Sequence, residues 1–529
     1  MGLIIRNGTI VDGTGAPPYR GDLRIRNGRI DEISASLTAA EDDEEFRADG
    51  LYVSPGFIDA HSHNDLAAFS EEGYRPKLLQ GISTEVVGQC GFSPAPVPVE
   101  RQQGWLSYYV AGSPLDAWEW ETTAEFHHTL RQRGLELNLL PFTGHGALRF
   151  AVAGDSPAAL TEAQRREEQE LLARSFEEGA GGLSLGLIYV PALFADREEL
   201  RGLMRVAAGY GKITAVHMRS ESDELIEAFE EMASLHEETG ARLHISHVKA
   251  IGLRNQHKME LLLERIERHD LSFDMYPYPY GSTSLLSMLP PSLFEGNTAK
   301  KAIAQLESPE VRSRIERLYR GEERPAEGMP WDNLPQLVGW EQIEIAEIPE
   351  GPDGELVGLP FPEAAERRGT SCASLLFELV EKYGGRAKYL DLFSSEETVR
   401  KAALYPNGVF GTDSLIGGKP HPRIYGTFPK ILQDYVFRRR LLSIEEMIRK
   451  MTGKAAEILD LEQRGTLVPG AAADVAVFGE EFTDREDRRQ PEKPAEGLRL
   501  LTVNGVPKVL DSSLRTNGSA RYPGMLLKT

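Results

Sequence analysis

Two histidines two residues apart, His61 and His63, close an apolar stretch that begins at Phe57 and Ile58. Pro55-Gly56 punctuates that stretch on its left, so it reads as a short buried strand. Strand side chains alternate with period two, and both imidazoles therefore leave the same face. Two imidazoles on one face at a strand's end form half a metal cage. The competing reading is two satisfied histidines at a loop edge, and a His-x-His pair alone does not separate the two. Other candidate ligands stand at the ends of other predicted strands: Cys90 after Val87-Gly88-Gln89, His217 after Ala215-Val216, His247 after Ile245-Ser246, and Asp413 after Gly411-Thr412. The chain holds 12 histidines, so one or two such coincidences mean little, whereas donors at five strand ends favour a metal. Imidazole, thiolate and carboxylate are the side chains that bind zinc. Such an ion makes hydroxide available at neutral pH and polarises a carbonyl. Asp413 could then take a proton from such a water. It could instead serve as a plain metal ligand or as a helix N-cap.

These residues need strands to present them, and the middle of the chain supplies them. Candidate strands at 57–63, 82–88, 136–142, 181–187, 213–217, 242–247, 271–276 and 408–413 alternate with helical stretches such as Thr161–Glu178, Glu221–Glu238 and His257–His269. Eight strands with helices between them predict a (β/α)8 barrel, which keeps its chemistry at the C-terminal strand ends. A doubly wound open sheet is the alternative, but the Gly-rich phosphate fingerprint that would favour it is absent. The spacing breaks once, between 276 and 408, where seven prolines fall between 325 and 362 and a strand is expected at Gln342–Ile348. That predicts an insertion of about 290–360 after the seventh strand. The two ends of the chain are β-rich. Asn7-Gly8, Asn27-Gly28 and Asn504-Gly505 each sit between apolar alternations and read as type I′ hairpin turns. One β module built from both termini follows, with boundaries at 1–54, 55–461 and 462–529. His127, His128, His236, His257 and His269 lie in helical stretches and are assigned to surface or packing.

Composition limits the classes of function. The net charge of −22 argues against nucleic-acid binding and against an anionic membrane surface. The 529 residues hold two cysteines, Cys90 and Cys372, which excludes a disulfide framework and fits a reducing, cytoplasmic compartment. Cys372 follows Thr370-Ser371 at an expected helix start and reads as a packed thiol. No signal peptide or membrane span is expected from the pattern.

Several stretches together resemble a known family. They are Gly56-Phe57-Ile58-Asp59-Ala60-His61-Ser62-His63, Val87-Gly88-Gln89-Cys90-Gly91, Gly182-Leu183-Ser184, His217-Met218-Arg219 and Ile245-Ser246-His247-Val248-Lys249. Gly411-Thr412-Asp413-Ser414, His421-Pro422-Arg423-Ile424-Tyr425-Gly426-Thr427-Phe428-Pro429 and the tail from Arg464 to Asp474 complete the set. The chain resembles the amidohydrolase superfamily and, within it, the N-acyl-D-amino-acid deacylases. The resemblance implies a barrel flanked by a small β-sandwich made from both termini, with an insertion beside the site. Many superfamily members bridge two metals with a carboxylated lysine near the fourth strand. The stretch 181–189 has no lysine here, and the resemblance gives the bridging place to Cys90. It implies a tight zinc on Cys90, His217 and His247, and a second, weaker site on His61, His63 and Asp413 that shares Cys90. Lys249 lies two residues beyond His247, so strand parity sends it to the same mouth. The resemblance assigns Lys249 and Tyr189 to a substrate α-carboxylate, joined by Tyr280 and Ser287, with Arg219 and Arg423 as further cations. His145 is expected at the pocket mouth, or alternatively in a loop-stabilising role. The implied partner is a small N-acyl-D-amino acid. A ring-opening hydrolase of hydantoinase or dihydroorotase type and a dipeptidase stay open as alternatives. A catalytically dead binding protein would lack ligands, and none is missing. Side-chain preference, acyl length and oligomeric state are not legible.

Overall fold

The computed structural model describes residues 2–529 except 110–113, 116, 295–297, 325–329, 350, 416–420, 486–491 and 516–521. Three of these gaps, at 295–297, 325–329 and 350, fall in the expected insertion, so that part of it lies outside the described residues. The chain opens with β1 (Gly2–Ile10), β2 (Tyr19–Arg26), β3 (Arg29–Ser34), β4 (Asp43–Arg47) and β5 (Tyr52–Pro55). Asn27-Gly28 makes the expected β2–β3 turn, with φ of 51° and 75°. Asn7-Gly8 does not make a turn. β1 runs straight through it, and the ladder to β2 slips between Ile5 and Gly8 around Asn7 at φ 55°. This is a bulge, held by the Asn7 N–H donating to Asp22 at 2.9 Å. Gly8 is there for closeness, because a Cβ on it would lie 2.3 Å from Val53 Cγ2. A bulge and a hairpin thus share one dipeptide signal, and only the pairing partner separates them.

The parallel strands follow. They are β6 (Phe57–Asp59) with its continuation β7 (Ser62–His63), β8 (Ile82–Val87), β9 (Asn138–Pro141) continued by β10 (Thr143–Gly144), β11 (Gly182–Gly186), β12 (Ile213–His217), β13 (Arg242–Ile245) and β14 (Ser272–Met275). Each pairs in parallel with the next in chain order. Between β14 and the last parallel segment lie β15 (Tyr280–Ser284), β16 (Ile343–Glu347) and β17 (Lys388–Leu392), an antiparallel sheet in the order β15-β17-β16. β16 is the strand expected at Gln342–Ile348. β15 and β17 lie outside 290–360, so the separate sheet draws in more of the chain than the proline-rich stretch. Helices Phe361–Arg368 and Cys372–Tyr383 cover this sheet over a core of its own, which includes Ile343, Ile345, Leu376 and Phe377. Cys372 is the first residue of its helix, capped by Ser371.

β18 (Gly408–Phe410) pairs with β14, and its continuation β19 (Ser414–Leu415) pairs with β7. Parallel pairing therefore runs through all eight predicted segments and from the eighth back to the first. Helices stand between most strands. Glu162–Glu177, for example, starts at a Thr161–Gln164 capping box, close to its expected limits. The chain ends with β20 (Val475–Thr483), β21 (Glu496–Val503), β22 (Val506–Leu510) and β23 (Ser513–Leu514). These join the first strands in one nine-stranded sheet, β23-β22-β21-β20-β5-β1-β2-β3 with β4 beside β1. Both termini build it, as expected, around a core that includes Ile5, Leu23, Val53, Val475 and Leu500.

Candidate metal centre

Six side chains from the ends of five parallel segments, or from the turns just after them, meet in one buried place. Cys90 Sγ lies 3.3 Å from His61 Nε2 and 3.2 Å from His247 Nε2. Asp413 Oδ1 lies 3.2 Å from His63 Nε2 and 3.7 Å from His61 Nε2. The His217 ring is 4.5 Å from the His247 ring, edge to face. The donor atoms of His61, Cys90 and His247 form one compact group, those of His61, His63 and Asp413 a second, and those of His217, Glu221 and His247 a third. All are buried.

The backbone is bent to achieve this. Cys90, His247 and Asp413 have φ of 52°, 32° and 47°, a region costly for side chains other than glycine. Each lies just beyond the paired part of its strand, which ends at Val87, Ile245 and Phe410, and the left-handed residue turns the side chain inward. The fourth strand makes room, since a Cβ on Gly186 would lie 1.9 Å from the Cys90 carbonyl oxygen. The glycine-rich 181–186 stretch, read as lacking a bridging lysine, thus also admits the loop that carries the thiol.

The residues fit a metal ion. Neither ring nitrogen of His217 makes a hydrogen bond although the ring is buried, and His63 Nδ1 is likewise unpartnered. Burial pushes His217 and His247 well below the usual histidine range, so their nitrogens offer lone pairs. Burial also opposes ionisation of Asp413, but Arg423 and His63 outweigh it and hold the carboxyl well below its ordinary value. Arg423 Nη1 is 2.8 Å from Asp413 Oδ2. Burial pushes the Cys90 thiol up, against the pull of His61. Three imidazoles or more, one thiol and one carboxylate within bonding reach make a donor set suited to zinc.

Two carboxylates that orient the histidines escaped the sequence reading. Asp274 accepts from His61 Nδ1 at 3.1 Å, from His244 Nε2 at 3.0 Å and from the His247 N–H at 2.9 Å. Glu221 takes His247 Nδ1 at 3.1 Å and Lys249 Nζ at 3.1 Å. Fixing the outer nitrogen of a ligand histidine sets its tautomer and aim. Asp274 carried a signal, being a lone charge between Phe273 and Met275 in a buried strand. Glu221 did not, since it stands in a polar Ser-Glu-Ser-Asp run.

A cavity of about 120 Å³ opens onto this centre. Tyr189, Lys249, Arg219, Arg423 and Ser287 line it, as do His63, His217, His247 and Asp413. Lys249 lies over the rings of Tyr276 and Phe393. Arg219 is spent on structure, because Nε binds Glu231 and the two Nη groups donate to the carbonyls of Leu193 and Ala195. Tyr280 is not among the lining residues, and its carbonyl accepts from His421 at 2.7 Å. Tyr276 takes its place, with an unpartnered hydroxyl. The extended run Tyr276-Pro277-Tyr278-Pro279-Tyr280 turns alternate tyrosines different ways, which sequence parity alone did not resolve. His145 is also outside the cavity. It is fully buried against Glu199 at 2.7 Å, with Glu168 at 3.6 Å and Arg149 sharing Glu199. His145 opens the helix His145–Ala153 and ties it to the helices that carry Glu168 and Glu199, a contact between helices and not within a loop.

A profile of the amidohydrolase family matches residues 44–326 and 361–509. N-acyl-D-glutamate deacylase of Alcaligenes xylosoxydans xylosoxydans is 31% identical over 512 residues, covering 96% of this chain and 93% of its own. D-aminoacylase of the same organism is 30% identical over 511 residues, covering 96% and 94%. The crystal structure of N-acyl-D-glutamate deacylase from Bordetella bronchiseptica, complexed with zinc and a phosphonate inhibitor, superposes with a TM-score of 0.82 at 28% identity, covering 100% of this chain and 99% of that one.

Proposed function

The chain belongs to the amidohydrolase family, and from that premise we propose that it hydrolyses the amide bond of N-acyl-D-amino acids, releasing a carboxylate and a free D-amino acid. Its relatives carry that activity in their names over nearly their whole length. The observation that supports it most in the chain itself is the convergence of His61, His63, Cys90, His217, His247 and Asp413 beside a cavity that also holds Lys249 and Arg423. We read the eight parallel segments as a (β/α)8 barrel and the nine-stranded sheet as a module folded on itself like a sandwich, divided at about 54 and 461. The setting is cytoplasmic.

Cys90, His217 and His247 would hold one zinc tightly, and His61, His63 and Asp413 a second one more weakly, with Cys90 shared. When bound, the ion supplies Lewis acidity, which acidifies water and polarises an amide carbonyl. Asp413 supplies the proton traffic. Its ionised carboxylate takes the proton of the attacking water at the oxygen facing His63 and delivers it to the amide nitrogen as the C–N bond breaks. Arg423 keeps that carboxylate charged and aimed through its 2.8 Å contact. Lys249 meets the substrate α-carboxylate, since an ammonium is the natural partner of a buried carboxylate. Its bond to Glu221 fixes it in place beforehand.

The test is a panel of N-acetyl-D- and N-acetyl-L-amino acids, dipeptides and cyclic amides, incubated with zinc-loaded protein and assayed for released amine. Release from the D-series alone is the expected result. Opening of neutral cyclic amides with no turnover of the D-series would replace this reading with that of a ring-opening hydrolase.

A further inference from the structure

Two acids that line the cavity, Asp332 and Asp391, take no part in this chemistry. Asp391, on β17, lines the cavity, is 3% exposed, and its Oδ2 has no hydrogen-bond partner. It stands opposite Gly281 in the β15–β17 ladder, and a Cβ on that glycine would lie 2.6 Å from Asp391 Oδ1. Thr283 and Tyr389, the next same-face pair of the ladder, line the cavity as well. A wall of hydroxyls with a free carboxylate oxygen in it is therefore turned toward the substrate space.

Among the described residues, every lysine and arginine lining the cavity is already matched. Arg423 pairs with Asp413, Lys249 with Glu221, and Arg219 with Glu231. Asp332 is satisfied by Ser220 at 2.8 Å and by the Glu221 N–H at 3.0 Å. Asp391 is the acid left over. It sits at the end of the cavity where the α-carboxylate binds, because Phe393, two residues on and of the same parity, lies 5.9 Å from Lys249 Nζ. The side chain of an amino acid branches from the carbon that bears the α-carboxylate, while the acyl tail lies beyond the amide. The group of the substrate nearest Asp391 is thus the side chain.

Building on the deacylase reading above, we propose that Asp391 sets the side-chain preference, favouring D-amino acids whose side chain donates a hydrogen bond or carries a positive charge, and rejecting those with a second carboxylate. A donor side chain satisfies a buried acceptor that otherwise goes without a partner. A side-chain carboxylate meets a like charge, and among the described residues it finds Lys249 committed to the α-carboxylate, Arg423 to Asp413 and Arg219 to Glu231. Burial pushes Asp391 up to about 7, so a cationic or donor group that approaches also completes its ionisation.

The experiment compares N-acetyl-D-glutamine with N-acetyl-D-glutamate, which differ by an amide against a carboxylate, in wild type and Asp391→Asn. In parallel, thermal shifts are recorded with the free products D-glutamine and D-glutamate, which report binding without catalysis. Wild type is expected to favour glutamine by about tenfold or more in kcat/KM, a gap of one like-charge contact, and to be stabilised more by D-glutamine. Asp391→Asn should narrow the ratio, chiefly through a lower KM for glutamate, with zinc content unchanged. Equal or better use of glutamate by wild type, or equal stabilisation by the two products, overturns the assignment of Asp391. If neither N-acyl compound is hydrolysed while D-glutamine still binds better, the deacylase reading falls and the preference stands. If Asp391→Asn does not fold, the wild-type comparison decides alone.

Discussion

The proposed chemistry turns on Asp413, and its neighbours make a sharp test possible. It touches His63 and Arg423, and its carboxylate is held ionised against the effect of burial. Asp413→Asn keeps the shape and removes the base. Turnover should fall by about two orders of magnitude or more, the scale of a lost general acid–base group, while zinc bound through the other residues is retained. Near-normal turnover in a fully metallated sample would take Asp413 out of the mechanism. Cys90→Ser probes the other side of the centre. A hydroxyl is a far poorer zinc ligand than a thiolate, so elemental analysis should show metal and activity lost together. Zinc retained at the wild-type ratio would contradict a role for Cys90 as ligand. The six donors were legible in the sequence because each is a chemically distinctive residue at the end of a strand with clear period-two alternation. Asp274 and Glu221 were not singled out, since a carboxylate that orients a histidine has no spacing rule of its own. Its partner lies one strand or one turn away in space.

Between the strands, a buried lysine does what the ladder hydrogen bonds cannot. Lys77 Nζ bonds Asp59 on β6 at 2.6 Å, Glu85 on β8 at 2.6 Å and Thr412, just after β18, at 2.6 Å. It thereby ties the first, second and eighth parallel segments together directly beneath His61, His63 and Asp413. Lys77→Met would leave Asp59 and Glu85 as two buried acids without their cation, and removing one partner from such a cluster costs about 3–5 kcal/mol. Denaturant unfolding should register a loss of that order. A change within about 0.5 kcal/mol, typical of a surface substitution, would show that the cluster contributes nothing net. Most of the strands were legible to within a residue or two, as in Ile213–His217, because apolar runs bounded by glycine and helix caps leave little choice, whereas the one expected at 408–413 ends at Phe410 and the one expected at 57–63 breaks after Asp59. β15 and β17 were not, because Tyr-Gly-Ser-Thr-Ser is half-polar and its strand character comes only from pairing with Lys388–Leu392. The Asn7-Gly8 bulge was misread for the same reason: its partner strand, not its own residues, decides its form.

At the scale of the whole molecule, the cavity belongs to two bodies of structure. The parallel segments and the turns after them contribute the candidate metal ligands, and the separate antiparallel sheet contributes Thr283, Tyr389 and Asp391, with Ser287 just beyond β15. The two are stitched at their edges. Asp332 accepts from Ser220 in the turn after β12, and the Gly252 N–H donates to the Phe393 carbonyl at 2.9 Å. The sheet also has its own core, distinct from the one packed around the parallel strands. A unit with its own core moves as a body more readily than it deforms. Its place over the strand ends is where lids exclude water from a reaction. We therefore expect hydrogen exchange in 280–294, 330–348 and 385–393 to slow when a D-amino acid product saturates the site, with the remote nine-stranded sheet unchanged. The change should be largest in β15 and β17, whose outer residues would touch the ligand, and smaller in β16, which meets the cavity only through β17. Unaltered exchange across all three strands at saturating product would make the unit a fixed wall that shapes the pocket without closing it.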